Sequence, residues 1–317
     1  MTVEGWRPAQ SLGTTLPHEH VLVDFIGAER VSRDRYDADE AFRVILPHLQ
    51  AVRERGCRTL FECTPAYLGR DPLLLKRLAR ASGLQLVTNT GFYGASDDKY
   101  VPKLAYQETP EQLAARWTAE FESGIEATDV RPGFIKTAVD AGPLSEIDRK
   151  LVRAAALCHR STGLTISSHT GNGAAALETI ERLKAEGVAP EAYVWVHAQN
   201  EKDRAMHLRA AEQGAWLSFD GIHEDRVDAD AESVADLIRR GWLRQLLLSQ
   251  DAGWYRVGEA GGGAFRPYTS LFDVFLPALR RRGITPDQTE TLLVANPAAA
   301  FTVRTRTTPG PARHLPS

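Results

Sequence analysis

The sequence predicts a (β/α)8 barrel, and three observations predict it. Short apolar segments recur eight times along the 317 residues, and amphipathic helical stretches separate them through most of the chain. That alternation is the signature of βαβ units on a parallel sheet, and eight repeats favour closure into a barrel over an open sheet. No Gly-x-Gly-x-x-Gly turn follows the first segment, which disfavours a dinucleotide-binding sheet. Finally, metal-ligand residue types stand at or just after five of the apolar segments: His18 and His20, Lys136, His169, His197 and Asp251. A barrel carries its active site at those C-terminal strand ends.

The strands are expected at 14–24, 57–64, 84–92, 131–139, 164–170, 193–199, 215–221 and 245–251. Between the first two, ADEAFRVILPHLQAVRERG places Ala41, Val44, Ile45, Leu49 and Val52 at helical spacing. DPLLLKRLARASG and DRKLVRAAALCHRSTG are alike, and each ends in the Gly that stops a helix. NGAAALETIERLKAEG, EKDRAMHLRAAEQG and AESVADLIRRG repeat the theme, and LFDVFLPALRRRG and PDQTETLLVANPAAAF are the last helices. Two stretches break the rhythm: 91–112 reads as a long loop after strand three, and 252–270 as a Gly-rich loop after strand eight. Loops of that length on this face carry substrate contacts. No linker interrupts the alternation, so one domain is expected over 1–317, with a core over about 10–302 and a frayed, Pro-rich tail over 303–317.

Composition excludes little and supports much. A hydrophobic fraction of 43% supplies a sizeable core, and a net charge of -3 leaves no electrostatic footprint for nucleic acid or an anionic membrane. Cys57, Cys63 and Cys158 show no zinc-type spacing and are expected as buried, reduced thiols. No signal peptide is evident and no apolar stretch reaches membrane-spanning length, so a cytoplasmic setting is expected.

Within a strand, side chains alternate faces. His18 and His20 of the His-Glu-His triplet therefore point together into the barrel mouth and Glu19 points outward. Two such imidazoles can hold one metal ion; the alternative is a hydrogen-bonded structural pair. His169 and His197 come from strands five and six, where a neutral imidazole suits zinc or iron and an ordinary polar strand end is the alternative. Asp251 ends strand eight, which neighbours strand one in a closed barrel, so its carboxylate falls beside His18 and His20. It can ligate a metal and accept a proton from water, or else cap a helix. Lys136 is the unusual member. A buried ammonium beside cations is costly, whereas neutral lysine can take up carbon dioxide as an anionic carbamate; pairing with Asp140 is the alternative.

With GTTLPHEHVLVDF, GFIKTAVD, SSHTGNG, VHAQN, LSQDAG and VANPAAAF in this order, the chain resembles the phosphotriesterase family of the amidohydrolase superfamily over roughly residues 10–302. The resemblance implies a barrel with a centre of two divalent cations, zinc by default. It implies that His18, His20 and Asp251 hold one cation and His169 and His197 the other. Carboxylated Lys136 bridges them together with a hydroxide, and Asp251 and Lys136 serve catalysis. It implies hydrolysis of a small molecule and a homodimer. Among its activities, lactone or carboxylic ester hydrolysis is preferred, with organophosphate triesters as a side reaction. Triester or N-acyl amide hydrolysis, or a barrel that binds metal without catalysis, stay as alternatives. Tyr93 matches a tyrosine that lactonases of this family place over the metals. Trp254 and Tyr255 are expected to wall the leaving side of a ring, and His223 and Arg226 to meet a polar substrate group. For each of these the alternative is ordinary loop packing or solvation.

Overall fold

Eight parallel staves close into a (β/α)8 barrel in the structure, a computed structural model that describes residues 1–308. The strand segments are β1 (Thr15–Val23), β2 (Thr59–Glu62), β3 (Gln85–Val87), β4 (Asn89–Thr90), β5 (Phe134–Val139), β6 (Ile166–Thr170), β7 (Tyr193–Val196), β8 (Trp216–Phe219), β9 (Leu246–Leu248) and β10 (Gly253–Arg256). β3 and β4 are one stave interrupted at Thr88: β3 pairs with β2, and β4 with β5. β9 and β10 likewise follow one path, the first pairing with β8 and the second with β1.

Between β1 and β9 no regular ladder forms, and a side chain replaces it. The Glu19 carboxylate accepts from Ser249 Oγ at 2.7 Å, Gln250 N at 3.0 Å and Ala252 N at 2.7 Å. Asp251 N donates to His18 O at 3.2 Å and His20 N to Ala252 O at 2.9 Å. Glu19 does leave the lumen, as alternation requires, yet it is buried in the seam and not solvated. Burial pushes its carboxyl up to about 8 even against those donors.

The helices start and stop where side chains satisfy their ends. Asp37 caps Ala38–Glu54, whose buried stripe is Ala41, Ile45, Leu49 and Val52. Asp71 caps Pro72–Ser82 and Ser145 caps Glu146–Thr162, and each of these two ends on a left-handed glycine, Gly83 or Gly163. The expected loop 91–112 instead contains helix Lys103–Gln107 and leads into Pro110–Ser123, a helix the strand-and-helix reading had left out. Thr109 and Gln112 form its capping box, and Leu113, Ala114 and Trp117 are its buried face. The expected loop 252–270 contains β10, and residues 303–308 are not frayed. Arg306 is buried and donates to Ala299 O and Ala300 O, and Thr307 pairs with Val188. The rest of the tail, 309–317, lies outside the described residues.

The lower lumen is filled by Phe61, Val87, Phe134, Val194, Val196 and Leu247, with Phe301 packed in from the last helix, Asn296–Phe301. Phe301 lies 4.3 Å from Phe61, ring centre to ring centre, and 5.8 Å from Phe134. Lys136 stands two residues beyond Phe134 on β5 and so faces the same lumen one layer higher.

Candidate metal centre

Above that apolar floor the six ligand-type residues converge. His18 and His20 leave β1 on one face with ring centres 5.4 Å apart. His169 near the end of β6 comes within 4.5 Å of His197, and His197 within 5.1 Å of His18. Asp251 Oδ1 is 3.2 Å from His20 Nε2 and 3.4 Å from His18 Nε2. Donor atoms of His18, His197 and Asp251 all lie within 4.8 Å of one another. The six share a cavity of about 120 Å³ with Phe25, Leu68, Tyr93, Ser96, Tyr100 and Trp254.

Two of the six reach it by leaving extended backbone. Val194 and Val196 face the lumen, so an extended His197 would face the helices. A left-handed φ of 64° turns it back, and β7 stops at Val196 short of the expected 199. Asp251 takes a φ of 50°. Two residues on, only glycine can pass β1, because a Cβ at Gly253 would stand 1.7 Å from His20 O.

Hydrogen bonds aim the imidazoles. His20 Nδ1 meets Thr64 Oγ1 at 2.8 Å and His197 Nδ1 meets Asp220 Oδ1 at 2.6 Å, so each ring is held by Nδ1 and offers its other nitrogen, Nε2, as the ligating atom. Asp220 also accepts from His197 N at 3.1 Å, and its second oxygen is 3.5 Å from His18 Nδ1. Burial opposes its charge, but the His197 and His18 imidazoles outweigh burial and hold the Asp220 carboxyl at about 2. Burial lowers His18 to about 4, reinforced by Lys136, and lowers His169 well below the usual range. Burial thus favours the neutral form of His18 and His169, whereas at His197 burial is outweighed by the Asp220 carboxylate, which raises the pKa.

Lys136 tests whether the site suits cations. Its Nζ is buried without a hydrogen-bond partner, and burial lowers its pKa despite nearby carboxylates. The alternative pairing with Asp140 does not form, since Asp140 accepts from Ser96 N and Asp97 N. An unpartnered amine amid four imidazoles and a carboxylate is costly unless something joins them. That donor set fits two divalent cations and a carbamate between them.

Of the residues expected around substrate, Tyr93 and Trp254 line the cavity. Tyr93 lies 5.2 Å from the His169 ring. Trp254 lies 4.3 Å from the His20 ring and donates from Nε1 to Asp251 O at 2.7 Å. His223, Arg226 and Tyr255 do not line it. His223 Nδ1 accepts from Asp225 N at 3.3 Å, and Arg226 donates to Gln199 O and Asp230, so both dress the start of helix Val227–Arg239. Tyr255 points into the core, where its ring fills the space beside Gly262. Asp220 and Thr64, which aim the histidines, were missed, as were Phe25, Leu68, Ser96 and Tyr100 in the wall. Asp220 carried a signal: it stands at a strand end in LSFDG, as the six do. A separate cavity of about 730 Å³ is lined by Tyr67 and Phe92 among others, but its charges are spent on pairs such as Arg70 with Glu120 and Arg33 with Glu126.

The model of the phosphotriesterase family matches residues 1–301. A phosphotriesterase homology protein of Escherichia coli (strain K12) is 29% identical over 91% of this chain and 98% of its own. A phospho-furanose lactonase of Mycoplasmopsis synoviae (strain 53) is 28% identical over 93% of this chain and 89% of its own. The solved organophosphorus hydrolase of Deinococcus radiodurans superposes with a TM-score of 0.84 at 30% identity, covering 95% of this chain and 96% of that one.

Proposed function

The chain belongs to the phosphotriesterase family, and from that premise we propose that this metal-dependent hydrolase cleaves a lactone or carboxylic ester. The observation that carries the reading is the convergence of four imidazoles and one carboxylate around a buried Lys136 Nζ that has no hydrogen-bond partner. His18, His20 and Asp251 would hold one cation and His169 and His197 the other, with Lys136 between them as its carbamate. Zinc is the metal we propose, because it suits imidazole and carboxylate donors. Two such cations supply an activated water and polarise the bond to be cleaved.

The chain's own residues do the rest. The imidazoles of His18 and His20 outweigh burial and hold the Asp251 carboxyl well below its usual range, so Asp251 is an ionised proton acceptor at the edge of the cavity. Asp220 and Thr64 hold the rings so that no reorganisation is needed at the moment of reaction. Phe25, Leu68, Tyr100 and Trp254 exclude water and present apolar surface. Apart from Lys136 no cationic side chain lines the cavity among the described residues, so nothing there clamps a phosphate or carboxylate group. A neutral carbonyl compound suits those walls; the likeness to a phospho-furanose lactonase supports the lactone bond as the target, though not the phospho group in that name. The likeness to an organophosphorus hydrolase supports triester cleavage as a side reaction on the same centre.

A panel of γ-lactones, carboxylic esters, N-acyl amides and aryl dialkyl phosphate triesters tests the order. Highest kcat/KM on a carbonyl substrate is expected. Triester cleavage without carbonyl cleavage reverses the order, and full metal content with no hydrolysis at all returns the chain to a metal-binding barrel. We place it in the cytoplasm, which suits its buried free thiols Cys57, Cys63 and Cys158. No helix among the described residues is long and apolar enough to cross a membrane. A homodimer is the proposed assembly, and sedimentation at monomer mass contradicts it.

A further inference from the structure

We propose that Asp140 is the latch of a short lid, Ala95–Asp98, whose closure sets the size of substrate that this site admits; the inference rests on the carbonyl hydrolase reading above. Ser96, Asp97 and Asp98 take φ values of 66°, 52° and 60° in succession. Left-handed backbone is unfavourable for residues with a Cβ, and three in a row persist only where the surroundings hold them. The first two are held by one carboxylate, and the third has its side chain tied to Tyr106, whose hydroxyl donates to Asp98 Oδ2 at 3.0 Å. Ser96 N donates to Asp140 Oδ1 at 2.9 Å and Asp97 N to Asp140 Oδ2 at 3.1 Å. Successive N–H groups in this conformation form a nest for an anion, and Asp140 fills it.

The turn is hinged on both sides. Before it, Tyr93 pairs with Ala138 at the end of β5, and Gly94 lies so close that a Cβ would stand 2.6 Å from Ala138 O. After it, Ala28 N donates to Lys99 O at 3.1 Å. Between these anchors Ala95 is buried, while Lys99 N donates to Ser96 O at 3.2 Å and Val101 N to Asp98 O at 2.9 Å, so the turn Ser96–Asp98 moves as one unit once the carboxylate lets go. Asp140 directly follows β5, the strand that carries Lys136, so the latch is fixed to the same rigid stave as the proposed bridge. Ser96 on the lid and Tyr93 and Tyr100 at its two roots line the cavity. With the lid down the cavity is about 120 Å³, well under the roughly 300 Å³ at which pockets for drug-sized ligands begin. A bare lactone ring suits the closed state, whereas a lactone with a long acyl chain needs the lid open. Asp140 is therefore a positioning residue: it touches no reacting atom and acts through the turn.

Two variants of opposite sign test this in the metal-loaded protein. Asp140→Ala removes the latch, and amide hydrogen exchange at Ser96 and Asp97 should quicken by about tenfold, the scale of losing hydrogen bonds to a charged group. The ratio of kcat/KM for long-chain over unsubstituted γ-lactones should rise by a similar factor through KM, with metal content unchanged. Asp140→Asn, which keeps one acceptor, should fall between. Asp97→Gly relieves a strained residue whose side chain is exposed, and it should slow exchange and lower the ratio. Unchanged exchange in Asp140→Ala overturns the latch, and so does faster exchange with an unchanged long-to-short ratio. If the wild type cleaves no lactone, the carbonyl reading fails on its own, and exchange alone decides the latch.

Discussion

Lys136 concentrates the chemical argument at the scale of single residues. A buried ammonium without a partner costs several kcal/mol, and the fold has put Lys136 among five other donors, four imidazoles and a carboxylate. Replacing it with alanine should remove metal and activity together, and short carboxylic acids should restore part of both. Elemental analysis showing full metal in Lys136→Ala would remove the bridge. Asp251 lies on the same cavity but has a separable duty. Asp251→Asn should keep most of the metal and lose most of the rate, roughly 10²–10⁴-fold for a missing proton acceptor. Wild-type turnover in that variant takes proton transfer away from Asp251. Asp220 stands behind His197 and His18 and is not itself a proposed ligand, so its loss should read out in binding. Asp220→Asn should weaken metal affinity about 10–100-fold, as the loss of a partner behind a ligand does, and calorimetric titration of the metal-free chain measures it.

At the scale of elements, the strand carrying a residue decides how much of its role can be read beforehand. His18 and His20 were legible because both lie within β1, where period two puts them on one face, even though the pairing with β2 shifts register between Leu16 and Glu19. Lys136 was legible for the same reason, two residues above Phe134 on β5. His197 was legible only as a residue type. Alternation from Val194 and Val196 sends it to the wrong face, and the left-handed backbone that corrects this has no marker in VHAQN. His223 and Arg226 looked like substrate contacts because charged residues after a barrel strand often are. A helix begins one residue after Arg226, and those side chains are used on its first turn. Helix Pro110–Ser123 did carry a signal, a Thr-Pro-Glu-Gln capping box, which the length of the preceding loop obscured.

Glu62 on β2 gives a prediction at the same scale. Burial raises its carboxyl to about 7, although Val21 N and Thr64 N donate to it. In the unfolded chain it ionises near 4.5, so between those values the folded chain keeps a proton that the unfolded chain has lost. Stability of the metal-free chain should therefore fall as pH rises from about 4.5 to 7, by roughly 3 kcal/mol from this group, and level off above. Glu62→Gln should flatten that part of the curve in urea unfolding measured across pH. A variant with the wild-type slope would assign the dependence elsewhere.

For the whole molecule, the barrel separates support from chemistry along its axis. The floor of Phe61, Phe134 and Phe301 carries no donor, and the mouth carries nearly all of them. Phe301→Ala should cost roughly 3–5 kcal/mol of stability, as large truncations in cores do, yet leave kcat/KM of the folded fraction close to wild type. A matching loss of activity without loss of stability would mean that floor and mouth are coupled. The closing seam is the other global feature. Glu19 joins β1 to the turn between β9 and β10 that carries Asp251, adding one carboxylate to the backbone bonds that already tie His18 and His20 to this path.

Anomalous diffraction from crystals of the zinc-loaded chain tests the centre most directly. The account predicts two peaks inside the cavity, roughly 3.5–4 Å apart, with continuous density from Lys136 Nζ to both. A single peak, or two peaks beside a Lys136 that ends in a bare amine, would contradict it.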